Sequence, residues 1–153
     1  MYTTAKQDRH IKVLTDKAFA LAATDYKEPP TILRGENDMN VRRLVPTECE
    51  RLQGFPDGWT DIGDWVDSNG KKHKEADSPR YKALGNSIAT PFWFYLLRRI
   101  SAQYERPATL GSLFDGIGGF PLVWERCNGA GTAIWASEIE EFCIAVTKEH
   151  FEE

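Results

Sequence analysis

Short apolar runs alternate with amphipathic segments over the last third of the chain. Apolar runs at 108–114 and 132–137 are each followed by a stretch whose apolar residues have helical spacing, 120–126 and 140–150. Runs of this length bounded by glycine are typical of strands, and strand–helix alternation is typical of a parallel sheet. The pattern therefore predicts an α/β fold with a βαβα unit, whose strands pair in parallel through a right-handed crossover.

The sequence around residue 50 predicts a short helix followed by a turn. Pro46 presets the backbone of a first helical turn, and a helix over 47–53 ends at Gly54, which accepts a left-handed conformation. Val45 stands where serine or threonine would cap this helix, so we expect its first turn to fray, at a cost of about 1 kcal/mol. Residues 55–59, Phe-Pro-Asp-Gly-Trp, predict a turn.

Three further segments complete the pattern. Residues 61–77 are mostly polar, with Ser68-Asn69-Gly70 at their centre, and predict a surface loop or a short hairpin. Segment 91–103 has apolar residues on most sides and arginines near its C-terminal end, which predicts a largely buried helix. Residues 1–40 have weak periodicity and a Pro29-Pro30 break, so we expect extended chain and loop there.

The composition is that of one folded, soluble domain. The chain has 153 residues, of which 41% are hydrophobic and 27% charged, close to globular averages. Its longest apolar stretch, 88–97, is interrupted by Thr90 and Pro91 and is shorter than the roughly 18 residues of a membrane span. Without a secretory signal, a cytoplasmic protein with no membrane partner is expected. Three cysteines with no CxxC pair indicate no disulfide framework and no metal site.

The net charge of −4 hides a difference between the two ends of the chain. Residues 1–106 carry 17 basic and 15 acidic side chains, whereas residues 107–153 carry 2 and 8. Contact with a polyanion such as DNA is therefore expected in the first part. Five cations cluster there beside acidic residues: Lys71, Lys72, Lys74, Arg80 and Lys82. Phosphate binding and a merely solvated face are both open for this cluster.

A glycine-rich loop stands between the first strand and the first helix of the βαβα unit. Its residues are Phe114, Asp115, Gly116, Ile117, Gly118 and Gly119. Glycines let a ligand approach the backbone, and the amides of the following helix point outward. Glu138, twenty residues past Gly118, ends the second strand, where a carboxylate can accept both hydroxyls of an adenosine ribose. A nucleoside-type ligand is predicted; a nicotinamide dinucleotide is disfavoured because its fingerprint needs a small residue in place of Pro121.

Four blocks of sequence carry a resemblance to a known family. They are L-F-D-G-I-G-G-F at 113–120, A-S-E-I at 136–139, R-R-L with P-T-E-C-E-R-L-Q-G-F-P within 42–56, and Y-K-A-L-G-N-S-I at 81–88. In that order they resemble the first, second, ninth and tenth motifs of DNA (cytosine-5) methyltransferases. In that family the ninth and tenth motifs close the chain. Their position ahead of the first two motifs implies a circularly permuted arrangement.

The resemblance implies a partial Rossmann-like fold of the S-adenosylmethionine-dependent methyltransferases, an incomplete parallel sheet with flanking helices. It divides the chain into a tail at 1–40 similar to the end of a target-recognition domain, a helical region at 41–106 and a cofactor-binding unit at 107–153. S-adenosylmethionine would lie over the glycine loop, with Glu138 on the ribose and Ile139 against the adenine. Asn86 and Ser87 would lie near its methionine end, and DNA is the implied substrate.

The family's reaction also needs two blocks that this sequence does not show. Its nucleophile is the thiolate of a Pro-Cys pair, and a Glu-Asn-Val block holds the flipped base. Cys49, Cys127 and Cys143 do not follow proline and are interpreted as structural. Glu36-Asn37-Asp38 is interpreted as solvated loop. No catalytic residue is therefore assigned, and we expect the chain to be inactive alone.

The predicted sheet has only two strands, so one edge of the first strand is left unpaired. Such a sheet is marginal in isolation, and we expect a complementary methyltransferase chain or a second copy of this chain to cover that edge. Two other interpretations remain open. One is a noncatalytic S-adenosylmethionine-binding or interaction module, and the other is a vestigial fragment without activity.

Overall fold

The computed structural model describes residues 31–34, 40–106 and 108–151. The strands are β1 Thr31–Arg34, β2 Asn40–Arg43, β3 Trp65–Val66, β4 Lys72–His73, β5 Leu110–Leu113 and β6 Ala133–Ser137. The helices are α1 Pro46–Gln53, α2 Asp77–Asn86, α3 Thr90–Ser101, α4 Gly119–Asn128 and α5 Glu141–His150. Each strand pairs with one other, giving two antiparallel hairpins and one parallel pair within the described ranges.

The predicted βαβα unit is confirmed. β5 and β6 pair in parallel, with Leu113 opposite Ser137, and α4 connects them. Trp135 lies over Gly111, where a Cβ atom would come within 2.2 Å of its ring, so glycine is needed at that position. The chain is therefore α/β, with a short parallel sheet and helices. Its finer assignment as a partial Rossmann-like fold stays a prediction.

The predicted hairpin in the 61–77 segment is also confirmed, because β3 and β4 are antiparallel with Trp65 opposite His73. The segment before α1 differs from its prediction as extended chain and loop. Thr31–Arg34 pairs with Asn40–Arg43 as an antiparallel hairpin. The remainder of the predicted tail, including Glu36-Asn37-Asp38, lies outside the described residues.

Helix α1 begins at Pro46 and ends before Gly54, whose φ of 78° is left-handed, as predicted. The expected fraying at Val45 is not supported, because another side chain performs the capping. The Val45 N–H donates to Glu48 Oε2 at 2.9 Å, and the Glu48 carboxylate accepts two hydrogen bonds from Arg42, at 2.7 and 2.5 Å. A carboxylate in the third helical position thus stabilises the first turn from within.

This pair predicts a loss of stability in acid. The hydrogen bond from Arg42, together with the Val45 N–H, lowers the pKa of Glu48 from 4.5 to about 2. A depressed pKa in the folded state stabilises the protein above pH 4.5, and that contribution is lost as the pH falls toward about 2. Because Arg42 is exposed, we expect this contribution to the free energy of unfolding to be about 1 kcal/mol. Urea unfolding at pH 6 and pH 3 should show a smaller pH dependence in Glu48→Gln than in the wild type, whereas equal dependences would contradict the assignment.

The described residues form two apolar clusters. In the first, α1, α2 and α5 surround the glycine-rich loop; its buried members are Leu44, Cys49, Phe55, Trp59, Ala83, Leu84, Ile117, Phe142, Cys143 and Val146. In the second, α3 packs against α4 through Leu97, Val123 and Trp124. The glycine-rich loop is therefore part of the core as well as of the surface.

Most of the segment 91–103 is helical, as predicted. The prediction that this helix is largely buried is wrong. Phe92 is 59% exposed and Tyr95 54%, whereas Thr90 and Leu97 are buried. One side of α3 faces α4, and Arg99 lies over the exposed Tyr95 ring, 4.2 Å from its centroid. Helix α3 therefore has apolar side chains on surfaces that the described part of the chain does not cover.

A fully buried carboxylate joins α1 to α2. Glu50 has 0% exposure and accepts hydrogen bonds from the N–H groups of Gly58 and Thr60, at 2.7 and 2.9 Å, and from the Thr60 hydroxyl at 2.5 Å. The buried Arg80 donates to that hydroxyl oxygen at 3.0 Å and to Glu50 at 3.4 Å. These bonds fix the predicted 55–59 turn against both helices.

Candidate functional site

A cleft with a volume of about 640 Å³ lies where four segments of the described chain meet. Its walls come from the β3–β4 hairpin, from α2, from the loop after β5, and from the end of β6 with the start of α5. The lining residues are Trp65, Asp67, His73, Ser78, Pro79, Lys82, Ala83, Asn86, Phe114, Gly116, Glu138, Ile139, Glu140, Glu141, Phe142 and Cys143.

The glycine-rich loop presents its backbone to this cleft. Phe114, Gly116 and Gly118 all have positive φ, of 53°, 59° and 80°. Such a φ is easy for glycine and strained for phenylalanine, so the surroundings of Phe114 must hold it in place. Its ring is 81% exposed and forms part of the cleft wall.

The loop is fixed from its buried side by contacts with the core. The Trp59 indole N–H donates to the Ile117 carbonyl at 2.7 Å, and both side chains are buried. A Cβ at Gly118 would lie 2.6 Å from the ring of Phe151. Trp59 also stacks on His150, with ring centroids 3.7 Å apart. The 55–59 turn therefore supports the back of the loop, a connection that nothing in the local sequence indicates.

Glu138 joins the glycine-rich loop to the end of β6. One of its oxygens accepts the Gly116 N–H at 2.6 Å, and the other accepts the N–H groups of Ile139 and Glu140 at 2.7 and 2.9 Å. Partial burial raises the pKa of Glu138, but these three backbone donors outweigh it, and the pKa is lowered. The carboxylate is therefore charged and oriented at neutral pH.

Asp115 faces the interior instead of the cleft. Its Oδ1 accepts the Ser112 hydroxyl at 2.5 Å, while Oδ2 is buried without a hydrogen-bond partner in the described ranges. Burial raises the pKa of Asp115, the Ser112 hydrogen bond partly opposes this, and the charge of Glu138 adds to the rise. We interpret Asp115 as a residue that shapes the loop from inside.

The structure brings half of the predicted cofactor residues together. Phe114, Gly116, Glu138, Ile139 and Asn86 line the cleft, although Asn86 is more than fifty residues from Glu138 in the sequence. The others are absent from the lining: Asp115, Ile117, Gly118, Gly119 and Ser87. They form the support of the loop and the end of α2. The predicted roles of all ten toward a ligand stay predictions.

Sequence reasoning missed the contribution of the β3–β4 hairpin. Trp65, Asp67 and His73 line the same cleft as Phe114, Gly116 and Glu138. The sequence of the polar 61–77 segment predicted a loop or hairpin, but it did not predict which side chains line the cleft. A strand of two residues is too short for an alternation of apolar and polar residues to show which side is buried.

The five candidate DNA-binding cations do not form one surface. Lys71, Lys72 and Lys74 are exposed on the hairpin, and Lys82 is paired with Glu140 at 2.9 Å. Arg80 is buried, with Glu50, Asp61 and Asp77 within 4 Å. A guanidinium in that position stabilises the α1–α2 packing and is not available to a phosphate. Arg80 is therefore no longer a candidate DNA-binding residue.

Cys143 lines the cleft but has the properties of a core thiol. It is 5% exposed beside Phe142 and Val146, on the buried side of α5. Burial, with smaller contributions from the charges of Glu138 and Glu140, raises the pKa of Cys143 to about 12. The group is therefore a neutral thiol near pH 7 and a poor nucleophile.

Alkylation measures this property directly. At pH 8 we expect iodoacetamide to modify Cys143 at least about a thousandfold more slowly than a free cysteine, because so little thiolate is present. Cys127, which is half-buried, should react ahead of it. Peptide mapping by mass spectrometry, before and after unfolding in urea, gives the rates. A native Cys143 that reacts as fast as the unfolded one would contradict the structural role.

None of the described helices is both long and apolar enough to cross a bilayer. The described side chains also contain no group of three or more histidine, cysteine, aspartate or glutamate residues placed to hold a metal ion.

Known proteins similar to this chain are DNA methyltransferases. The family model of the C-5 cytosine-specific DNA methylases matches residues 2–102. Type II methyltransferase M1.ScrFI of Lactococcus lactis subsp. cremoris is 31% identical over 90 residues, covering 59% of this chain and 18% of its own length. Type II methyltransferase M.Sau3AI of Staphylococcus aureus is 34% identical over 96 residues, covering 60% and 19%.

The name of a third relative states a different activity. The DNA N-6-adenine-methyltransferase of Escherichia phage P1 is 39% identical over 85 residues, which covers 42% of this chain and 11% of that protein. The chain therefore spans less than a fifth of the length of each of these three relatives.

Proposed function

Since the chain belongs to the C-5 cytosine-specific DNA methylase family, we propose that it supplies the S-adenosylmethionine-binding part of a DNA (cytosine-5) methyltransferase. The observation that carries this proposal is the cleft, where Phe114, Gly116, Glu138, Ile139 and Asn86 meet. These residues come from the blocks that resemble the family's first, second and tenth motifs. Their meeting in one cleft also supports the permuted order, in which residues 102–109 connect α3 to β5.

The dimensions and charge of the cleft fit this cofactor. Its volume of about 640 Å³ is within the usual range for small-molecule sites. Four carboxylates line it (Asp67, Glu138, Glu140 and Glu141), against one lysine and one histidine. An acidic lining favours a ligand with a sulfonium cation and disfavours the pyrophosphate of a dinucleotide. The same charge argument supports the sequence-based exclusion that rested on Pro121.

The roles proposed for these residues are those that the family resemblance implies, and the chemistry of the side chains is compatible with them. The oriented Glu138 carboxylate accepts the ribose hydroxyls, and the exposed apolar side chains of Ile139 and Phe114 cover the adenine. Gly116 leaves room for the ligand, and Asn86 and Ser87 lie toward the methionine end. When bound, the cofactor supplies an electrophilic methyl group for transfer to cytosine C5.

The nucleophile that activates cytosine comes, in this proposal, from a complementary methyltransferase chain. Cys143, a cleft-lining thiol, has a pKa of about 12 and is not suited to attack. A partner with the Pro-Cys and Glu-Asn-Val blocks would add both missing functions. It would also cover Leu113, Ile134 and Trp135, large apolar side chains that the described part of the chain leaves exposed around the β5–β6 sheet.

DNA contact is proposed for the exposed hairpin lysines. Each phosphate contact contributes about one unit to the salt dependence of binding. Replacing Lys71, Lys72 and Lys74 with alanine in the complemented protein should therefore reduce the slope of log affinity against log salt by up to about three. The exposed Lys148 on α5, replaced in the same way, is the control. An unchanged slope in the triple variant would reject DNA contact by the hairpin.

Methyl transfer from labelled S-adenosylmethionine to DNA tests the proposed function. The chain alone and the partner alone should be inactive, and a mixture with a polypeptide carrying the Pro-Cys and Glu-Asn-Val blocks should be active. Activity of the chain alone would contradict the division of roles. Cofactor binding without transfer in the mixture would favour the noncatalytic module, which the unreactive environment of Cys143 supports.

A further inference from the structure

We propose that the β3–β4 hairpin, residues 64–75, is a wall of the cofactor cleft, and that the paired rings of Trp65 and His73 hold the adenine base. This inference rests on the proposed function, since it concerns the same cleft. It assigns a binding role to a segment outside the four sequence blocks that resemble family motifs.

The aromatic surface is built from neighbouring positions on the two strands. Trp65 and His73 are partners in the strand register, and their rings are stacked with centroids 4.2 Å apart and planes within 10°. The Trp65 and Phe142 rings also form a T-shaped pair, with centroids 5.6 Å apart. All three residues line the cleft, and Trp65 and His73 are only half-buried. Because these two rings stack on each other, an outer face or edge is what remains for a ligand, and such aromatic surface in the same cleft as the Glu138 carboxylate suits a nucleobase.

Polar contacts within the hairpin hold these rings in place. Asp67 accepts the N–H groups of Asn69 and Lys71, at 3.0 and 2.9 Å, with one oxygen, and its other oxygen is 2.8 Å from His73 Nε2. At the base, the Glu75 N–H donates to Asp64 at 2.9 Å. A hairpin whose strands are two residues long has little stability alone. These hydrogen bonds stabilise its conformation.

The hairpin is also tied to the part of the chain that carries Ile139. The Ser68 N–H donates to the Glu141 carboxylate at 2.8 Å, and the Ser68 hydroxyl donates to its other oxygen. Glu141 begins α5, two residues after Ile139. The hairpin tip is therefore anchored beside the side chain expected to contact adenine, and the two form adjoining walls of one cleft.

Indole N–H signals of the full chain test whether ligand reaches the wall. Trp93 is the control, because it packs against Phe120 in the second cluster, with ring centroids 4.9 Å apart. On addition of S-adenosylhomocysteine we expect the Trp65 signal in a nitrogen–proton correlation spectrum to shift while the Trp93 signal stays. Saturable binding in calorimetry with a stationary Trp65 signal would overturn this inference alone. No saturable binding would overturn it together with the proposed function.

S-ribosylhomocysteine, which lacks the adenine base, distinguishes a role of Trp65 in binding adenine from a role in supporting the fold. Trp65→Leu should weaken S-adenosylhomocysteine about tenfold, through loss of base stacking, and leave the affinity for S-ribosylhomocysteine unchanged. Trp93→Leu should change neither affinity by more than about twofold. Equal weakening of both ligands by Trp65→Leu would show that Trp65 only supports the fold, and would overturn the proposal.

Discussion

Replacing Glu50 with alanine should lower the free energy of unfolding by about 3–5 kcal/mol. The Glu50 side chain is fully buried and accepts three hydrogen bonds from Gly58 and Thr60 and one from Arg80. Its removal leaves the buried Arg80 guanidinium without its closest carboxylate and two backbone N–H groups without acceptors. Urea unfolding monitored by circular dichroism measures the loss.

The control is Glu48→Ala, two residues earlier on the same helix. The partner of Glu48 is the exposed Arg42, so the expected loss is about 1 kcal/mol. Glu50→Gln keeps acceptor oxygen in the same volume and should fall between the two variants. Equal stabilities of Glu50→Ala and Glu48→Ala would contradict the view that the buried network organises the α1–α2 packing.

Replacing Glu138 with alanine should weaken S-adenosylmethionine binding by about 10- to 100-fold. Hydrogen bonds to a charged group contribute about 1.5–3 kcal/mol, and this carboxylate is oriented by three backbone N–H groups. The substitution also frees the Gly116 N–H, so the loop loses its connection to the end of β6. Isothermal titration calorimetry of both proteins gives the ratio of affinities.

Glu140→Ala is the matched control for this experiment. Glu140 lines the same cleft and carries the same charge, but its carboxylate pairs with Lys82 at 2.9 Å on an exposed surface. We expect less than a threefold change in affinity. If both substitutions weakened binding equally, the effect would come from the overall negative charge of the cleft, and the specific role of Glu138 would be wrong.

Local sequence signals were sufficient for most elements and for part of the cleft, but they predicted neither the β1–β2 pairing nor helix α2. Apolar runs with glycine between them predicted β5, β6 and the helices after each, and Pro46 and Gly54 correctly placed both ends of α1. The spacing of the glycine-rich loop and Glu138 predicted two groups at the ends of adjacent parallel strands. The structure joins them by a hydrogen bond of 2.6 Å.

Contacts between distant residues could not be predicted in this way. Glu50 looked like an ordinary polar residue of a short helix, since its partners Thr60 and Arg80 are ten and thirty residues away. Arg80 looked like one of several surface cations for the same reason. The burial of α3 was overestimated because an apolar sequence shows what a helix is able to bury and does not show what covers it.

The hydrogen bond between Trp59 and Ile117 joins residues that are 58 positions apart in the sequence. It connects the part of the core around Glu50 to the loop that is proposed to bind the cofactor. The turn that Glu50 organises presents Trp59, whose indole N–H holds the carbonyl of the glycine-rich loop. The region that resembles the ninth motif therefore supports the loop that resembles the first. This packing supports the proposal that a permuted order of blocks is compatible with one cleft.

Calorimetric titration of the purified wild-type chain with S-adenosylmethionine tests the claim that this chain forms a cleft for that cofactor. We predict saturable binding with one site per chain, competed by S-adenosylhomocysteine and unaffected by a nicotinamide dinucleotide. Absence of saturable binding by a chain that unfolds cooperatively in urea would contradict the claim.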